Sequence, residues 1–431
     1  MPDRIPEDVN KETPPASPVP GFGCGPEGPG AGPGFGPGPD FGPGGPGQDF
    51  GPGGPGGPGG PHGPHGEPNE KDFVQPHMAV VRSEDGTIHF HMRAGEGADV
   101  TVTIGNEQED AITLPLTDSG RGNFRADCTD CPLEGPQKLV FRVNGQETLN
   151  TGAPLWYQMN SLTNYIELPD PETDALIAAR KDIPHGSVRH EFYYSEVYGE
   201  FRSSLIYTPP GYEEGGEYPV LYLFHEVAEN MTAWTDATRM NFVLDNLIAE
   251  GQCLPFLVVE NDCTVMLNYH ALDDWFTNYP ELEQFLLKDC IPYMESHYRV
   301  ISDKWSRAIG GYGLGAAQAG YIGMRNTDVF GSIGLFTAFW ISAGFHAQGK
   351  EDPVYDAAQY IAAHPEVIDV FFRSEGDRDR HYGSAQAEND LLAEIGVDRL
   401  PGYVWKVYHQ SHHWGSYRRS LRDFAPLLFR K

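Results

Sequence analysis

Long apolar runs are absent from this chain. No stretch approaches the ~20 residues a helix needs to cross a bilayer, which excludes a helical membrane span. Basic residues are scarce as well: 30 Lys and Arg stand against 61 Asp and Glu, a formal charge of -31. That imbalance argues against nucleic acid and anionic membrane surfaces as partners, because both would repel the chain. Cysteine is sparse, with six in 431 residues. Only Cys128-Thr129-Asp130-Cys131 has a suggestive spacing. A single C-x-x-C lacks the second ligand pair of a zinc site, and it lies between expected strands instead of at the helix start a redox motif wants. No metal is expected. The first residues, Met1-Pro2-Asp3-Arg4-Ile5-Pro6, lack the apolar core of a secretory signal, so the expected location is cytoplasmic.

Two further absences are local. The stretch Ile309-Gly310-Gly311-Tyr312-Gly313-Leu314-Gly315-Ala316-Ala317 has the frame of a nucleophile elbow, G-x-S-x-G, but glycine stands where the serine would be. Glycine carries no oxygen, so Gly313 cannot support covalent acyl transfer. The stretch His225-Glu226-Val227-Ala228-Glu229-Asn230 contains no glycine. It follows an apolar run and lies where a hydrolase of this kind supplies backbone N–H groups to an oxyanion hole, usually through a glycine-rich turn. A Glu226 carboxylate there opposes the charge of a tetrahedral intermediate, which makes this a second loss, independent of Gly313.

Glycine and proline dominate the beginning of the chain. From Gly21 to Gly66 nearly every residue is one or the other, and Asp40-Phe41-Gly42-Pro43-Gly44-Gly45-Pro46-Gly47 recurs at Asp49 to Gly56. Such a segment cannot bury enough apolar surface to offset its chain entropy, so residues 1–76 are expected to be disordered. Glycine at every third position from Gly51 to Gly66 is collagen-like but too short for a stable triple helix. His62 and His65 are read as part of a solvated repeat. Residues 77–155 read as a small all-β domain. Thr87 to Arg93, Val100 to Ile104 and Leu139 to Val143 alternate apolar and polar residues, as strands of an antiparallel sandwich do. Residues 156–186 are expected to be a linker.

From 187 to 431 the pattern becomes α/β. Apolar runs at Tyr218–Phe224, Phe256–Val259, Val329–Phe336, Ile368–Phe372 and Tyr403–Tyr408 alternate with helical stretches at Asn241–Glu250 and Glu281–His297, the second kinked at Pro292. Alternating βα units imply a doubly wound, mainly parallel sheet covered on both faces. Ser411-His412-His413-Trp414 follows the last expected strand, where an α/β-hydrolase places its general base. Glu375-Gly376-Asp377-Arg378-Asp379 follows the strand before it, and either Asp377 or Asp379 is placed to orient His412. Spacing alone does not choose between the two aspartates.

Together these stretches resemble the esterase D family of α/β-hydrolases, which includes feruloyl, acetyl-xylan and enterochelin esterases. The resemblance rests on Tyr218 to His225, Leu244 to Gly251, Phe285 to Arg299 and His412 to Arg418, and it covers roughly Ser187 to Arg430. It implies the α/β-hydrolase fold for 187–431 and an immunoglobulin-like, glycan-module-like character for the β domain. It also implies a serine carboxylic ester hydrolase with no cofactor. Carried over by position, Gly313 matches the nucleophile and His412 the base. Asp379 matches the acid through the G-x-x-D loop Gly376-Asp377-Arg378-Asp379, with Asp377 second. Leu314 is the donor of one oxyanion-hole N–H, with Glu226 and Val227 in the same region.

Three functions fit this reading. The leading one is a catalytically inactive member of the esterase family. The second is an ester hydrolase with another nucleophile, such as water activated by His412. The third is a carbohydrate-binding module that uses the old cleft and the β domain. A polysaccharide or a small ester is the expected ligand.

Overall fold

The computed structural model describes residues 79–105, 111–158, 161–263, 279–337 and 353–431. The expected disordered tail, with His62 and His65, lies outside these residues.

Ten short strands come first: β1 (Val80–Arg82), β2 (Ile88–Arg93), β3 (Val100–Ile104), β4 (Ile112–Pro115), β5 (Thr117–Asp118), β6 (Asn123–Cys128), β7 (Gly135–Val143), β8 (Gln146–Glu147), β9 (Leu155–Gln158) and β10 (Ser161–Leu168). They form two antiparallel sheets, β1-β2-β6-β5 and β4-β3-β7-β10-β9, with β8 paired to β7. In β2 the buried Ile88, Phe90 and Met92 alternate with outward His89 and Arg93. They meet Val102, Phe141 and Ile166 of the other sheet in one core. The sequence expectation is corrected at its far edge. Residues 156–186 are not a plain linker, because β9 and β10 pair with each other and β10 pairs with β7.

Eight strands form the third sheet: β11 (Ser187–Ser195), β12 (Glu200–Thr208), β13 (Val220–Phe224), β14 (Leu257–Asn261), β15 (Arg307–Tyr312), β16 (Ser332–Phe336), β17 (Val370–Gly376) and β18 (Tyr403–Tyr408). Their order is β11-β12-β14-β13-β15-β16-β17-β18. β11 and β12 run antiparallel, and β13 to β18 pair parallel. Both faces are covered, so β13, β14 and β16 are buried at every residue. That is why they read as continuous apolar runs instead of alternating ones. Within β13, Val220, Tyr222 and Phe224 enter one core, and Leu221 and Leu223 the other.

The expected kink at Pro292 takes a specific form. A helix at Tyr279–Phe285 widens into a π-helical turn at Leu286–Cys290, then resumes as Ile291–His297. Proline cannot donate the i→i−4 bond, and a wider turn just before it accommodates that loss.

The last helix, Trp414–Phe424, ties β10 to the α/β sheet. Arg418 is fully buried and forks onto Glu167 with two bonds of 3.0 Å. Arg419 pairs with Asp170 at 2.8 Å. Trp156 of β9 stacks on Tyr165 and packs against Trp414, each with ring centres 4.1 Å apart. Among the described residues, no helix is long and apolar enough to cross a membrane.

Candidate functional site

Four loops at the carboxyl ends of parallel strands carry the site: those after β13, β15, β17 and β18. This is the edge at which open α/β sheets bind ligands.

After β15 the chain turns sharply into the helix Leu314–Arg325. Gly313 makes the turn with φ 53° and ψ -121°, a conformation that disfavours side chains. Neighbouring glycines serve close packing. A Cβ on Gly311 would meet the Gly315 carbonyl carbon at 2.6 Å, and one on Gly315 would meet the His225 carbonyl oxygen at 2.3 Å. The elbow geometry is therefore present without its hydroxyl.

The loop after β13 corrects one expectation. Without glycine it still presents its amides, because Ala228 adopts the positive φ of 58°. Two bonds brace it. Cys263 N–H donates to His225 Nε2 at 3.1 Å, which leaves His225 Nδ1 to donate to the Glu226 carbonyl at 2.8 Å. The Val227 and Leu314 N–H groups then converge, and the atom between them is Oε1 of Glu226, at 2.8 and 3.0 Å. The two N–H groups expected to serve an oxyanion are not turned away; both already bind an oxygen of Glu226. The other oxygen, Oε2, lies 3.2 Å from His412 Nε2. A Cβ on Gly313 would lie 1.1 Å from that oxygen. Glu226 thus does not stand beside the hole as a repelling charge. It takes up both of those N–H groups and the space that a side chain at position 313 would need.

His412 lies between two carboxylates. Its Nδ1 is 2.5 Å from Asp379 Oδ2, whose partner oxygen Oδ1 accepts the His381 N–H at 2.8 Å. Asp377 points elsewhere, 3.0 Å from His409 Nδ1 through each oxygen, and does not reach His412. Burial opposes the His412 imidazolium. Asp379 and Glu226 outweigh burial and raise its pKa to about 10. Burial likewise works against the Asp379 carboxylate, yet His412 holds its pKa below the ordinary value. The ion pairs make Glu226, His412 and Asp379 a continuous acid–base–acid line.

Three buried residues near this line carry signals the sequence reading passed over. Glu229 receives the Tyr312 hydroxyl and, at 3.1 Å, the Trp414 indole N–H. Burial pushes its pKa up to about 7. Glu375 lies against Asp379, and burial followed by that neighbouring charge raises it to about 8. Tyr417 stacks on Tyr312 with centres 3.8 Å apart and meets His412 edge-on at 5.7 Å. Glu229 and Glu375 stood in the very loops already singled out. Cys128 and Cys131 lie in the β domain, and both thiols are free. Among the described residues, no group of three or more His, Cys, Asp or Glu side chains is arranged to hold a metal ion.

Comparisons with known proteins agree with this architecture. The model of a family described as putative esterase matches residues 195–430. An endo-1,4-beta-xylanase/feruloyl esterase of Xylanibacter ruminicola is 28% identical over 376 residues, 84% of this chain and 47% of that protein. Endo-1,4-beta-xylanase Y of Acetivibrio thermocellus is 26% identical over 254 residues, 53% of this chain and 22% of that protein. The chain therefore spans less than half the length of either relative. Among solved structures, an enterobactin esterase of Shigella flexneri superposes with a TM-score of 0.56 at 14% identity, covering 79% of this chain and 92% of that one. At that identity the likeness concerns the fold alone.

Proposed function

The chain belongs to the putative esterase family, and from that premise we propose that it keeps the family's scaffold but does not cleave esters by serine acyl transfer. One observation carries this reading: the Glu226 carboxylate, with Oε1 on the Val227 and Leu314 amides and Oε2 against His412, beside a glycine at 313. Position 313 supplies no oxygen to attack a carbonyl, and losing the nucleophile of a triad costs on the order of a millionfold in rate. The two amides that stabilise a tetrahedral oxyanion already serve an anion of the protein itself. An ester carbonyl that entered the cleft would find neither an attacking group nor free donors. Under this reading His412 acts as the matched base and Asp379 as its orienting acid, held in a closed ion-paired line.

The test is hydrolysis of p-nitrophenyl acetate and methyl ferulate by the whole chain, beside His412→Ala. Background rates for both proteins are expected. Robust turnover by the parent that His412→Ala abolishes would overturn the reading.

A second reading concerns the β domain, for which we infer an immunoglobulin-like, glycan-binding role. A groove of about 700 Å³ lies on it, lined among others by His89, His91, Arg125 and Asp127 around Phe90 and Pro115. Those side chains offer both donors and acceptors, as a sugar's hydroxyls require. Titration calorimetry with xylo-oligosaccharides tests it, with Arg125→Ala expected to weaken binding. No heat with any oligosaccharide would remove the reading.

A further inference from the structure

We propose that Glu226 is itself a nucleophile, one that attacks saturated carbon instead of a carbonyl, and that the site opens an epoxide to a diol. This rests on the reading that position 313 contributes no nucleophile.

The arrangement of the two Glu226 oxygens selects the reaction. Attack on an acyl carbon creates a new oxyanion on the substrate, and the Val227 and Leu314 amides are not free to receive it. Attack on saturated carbon places no charge there. The pair of electrons leaves with the departing group, and Oε1 stays on its two donors as the carbonyl of the new alkyl ester. When that ester is later cleaved, charge develops on Oε1, the one atom already held by both amides. The hole is set for the nucleophile's own carbonyl and not for a substrate's.

The proton inventory selects the leaving group. With its pKa raised to about 10 by the flanking Asp379 and Glu226 carboxylates, against the opposing effect of burial, His412 is protonated at neutral pH. A halide leaving group needs no proton. The alkoxide released from a strained three-membered ether does, and the His412 imidazolium is the acid that this line of groups supplies. In the first step the Oε2–carbon bond forms, the carbon–oxygen bond of the ring breaks, and the alkoxide takes the His412 proton. Glu226 is now a neutral ester. One of the two charges that held the His412 proton is gone, while Asp379 still orients the ring, so the imidazole becomes a competent base. In the second step His412 removes a proton from water, and the hydroxide adds to the Glu226 carboxyl carbon. The tetrahedral intermediate collapses, the bond between the carboxyl carbon and Oε2 breaks, and the new carboxyl group gives its proton to the departing alkoxide. The sum is epoxide plus water giving a vicinal diol, with Glu226 and His412 returned to their starting ionic forms. Both side chains are partly solvent-exposed, at 16% and 21%, so a small molecule can reach them.

The experiment uses the full chain with phenyl glycidyl ether in 18O-labelled water. Diol from the first turnover is expected to be unlabelled, and the peptide containing Glu226 to gain one 18O atom. His412→Gln loses the acid of the first step and the base of the second, so it is expected to form the ester on Glu226 slowly and not release it, and the adduct should build up over hours, seen by intact mass and peptide mapping. Glu226→Gln is expected to form no adduct and to lower diol formation by about a hundredfold or more. Three outcomes would each overturn the proposal: no epoxide consumption or adduct in the wild type and His412→Gln alike, label entering the diol directly in the first turnover, or an adduct that persists in Glu226→Gln. Ester turnover measured in parallel keeps the readings apart. Turnover of p-nitrophenyl acetate sinks the proposed function, whereas a missing adduct without ester turnover sinks only this inference.

Discussion

Oε2 of Glu226 lies where the side chain of residue 313 would begin, 1.1 Å from a Cβ built on Gly313. The two positions come from different loops, 87 residues apart in the sequence (313 less 226). Yet they are complementary: the space one side chain lacks, the other fills. Neither position can be changed alone without consequence for the other.

Gly313→Ser alone is therefore expected to destabilise the protein and gain no esterase activity. A non-glycine residue at φ 53° costs about 1–3 kcal/mol. The new Cβ must also expel Glu226 from two amides and His412. Gly313→Ser combined with Glu226→Gly removes the collision and empties the oxyanion donors. Urea denaturation should show the double variant more stable than Gly313→Ser, and p-nitrophenyl acetate turnover should exceed that of the parent and of either single variant. A double variant no better than Gly313→Ser on both measures contradicts this coupling.

Glu226→Ala vacates the Leu314 N–H at the start of a 12-residue helix and the Val227 N–H of the loop after β13, which converge on one point. A helix N-terminal amide joined by a second donor forms an anion site. Acetate is expected to raise the melting temperature of this variant. The stabilisation is about 1.4 kcal/mol once acetate exceeds its dissociation constant tenfold. The parent, already holding its own carboxylate, should not respond. Equal responses would mean that acetate acts elsewhere.

Stability should fall as the solution becomes alkaline. Burial raises Glu229 to about 7 and Glu260 and Glu375 to about 8 in the folded chain, from 4.5. Groups with raised folded pKa values contribute stability that is complete below the unfolded value and lost as pH climbs through the folded one. The three glutamates therefore lose theirs between about pH 4.5 and 8. His412, raised to about 10, keeps its contribution below 6.5 and loses it toward 10. Asp379, lowered by His412 despite burial, acts oppositely, losing its contribution as pH falls below 3.8. The melting temperature is expected to decline steadily from about pH 5 to 10. Glu375→Gln should flatten the lower part of the slope and His412→Gln the upper part. A profile that rises across this range contradicts the assignment.

Arg418→Ala removes the forked partner of the partly buried Glu167, leaving it Arg239 at 4.0 Å, and should cost about 3 kcal/mol in urea unfolding. Arg418→Met, which keeps the packing, should cost less than Arg418→Ala if the fork's packing matters as much as its charge. Equal losses would assign the effect to charge alone.

Much of this site was legible in the chain. The elbow could be read because a buried strand followed by Gly-x-Gly-x-Gly has few other structural meanings. His412 and the Asp377/Asp379 pair could be read from their order on successive βα loops. The choice between the aspartates needed geometry: Asp377 turns to His409, and only Asp379 faces His412. Glu226 was visible as a carboxylate near the hole, but its direction was not, since a side-chain rotamer follows from packing around it. The missing glycine misled, because Ala228 takes the positive φ at that turn. In the segment expected as a linker, Asn164, Ile166 and Leu168 are buried at alternate positions. That period-two pattern in β10 is the signature of a strand with one buried face.

The Arg418–Glu167 fork also bears on how this chain could be recombined with others. Glu167 belongs to the last strand of the β domain, and Arg418 to the helix that starts two residues after His412. A graft that moved the α/β sheet without β10 would strand a buried guanidinium one helical turn from the chemistry. The two domains are thus not interchangeable cassettes. A working transplant would carry both.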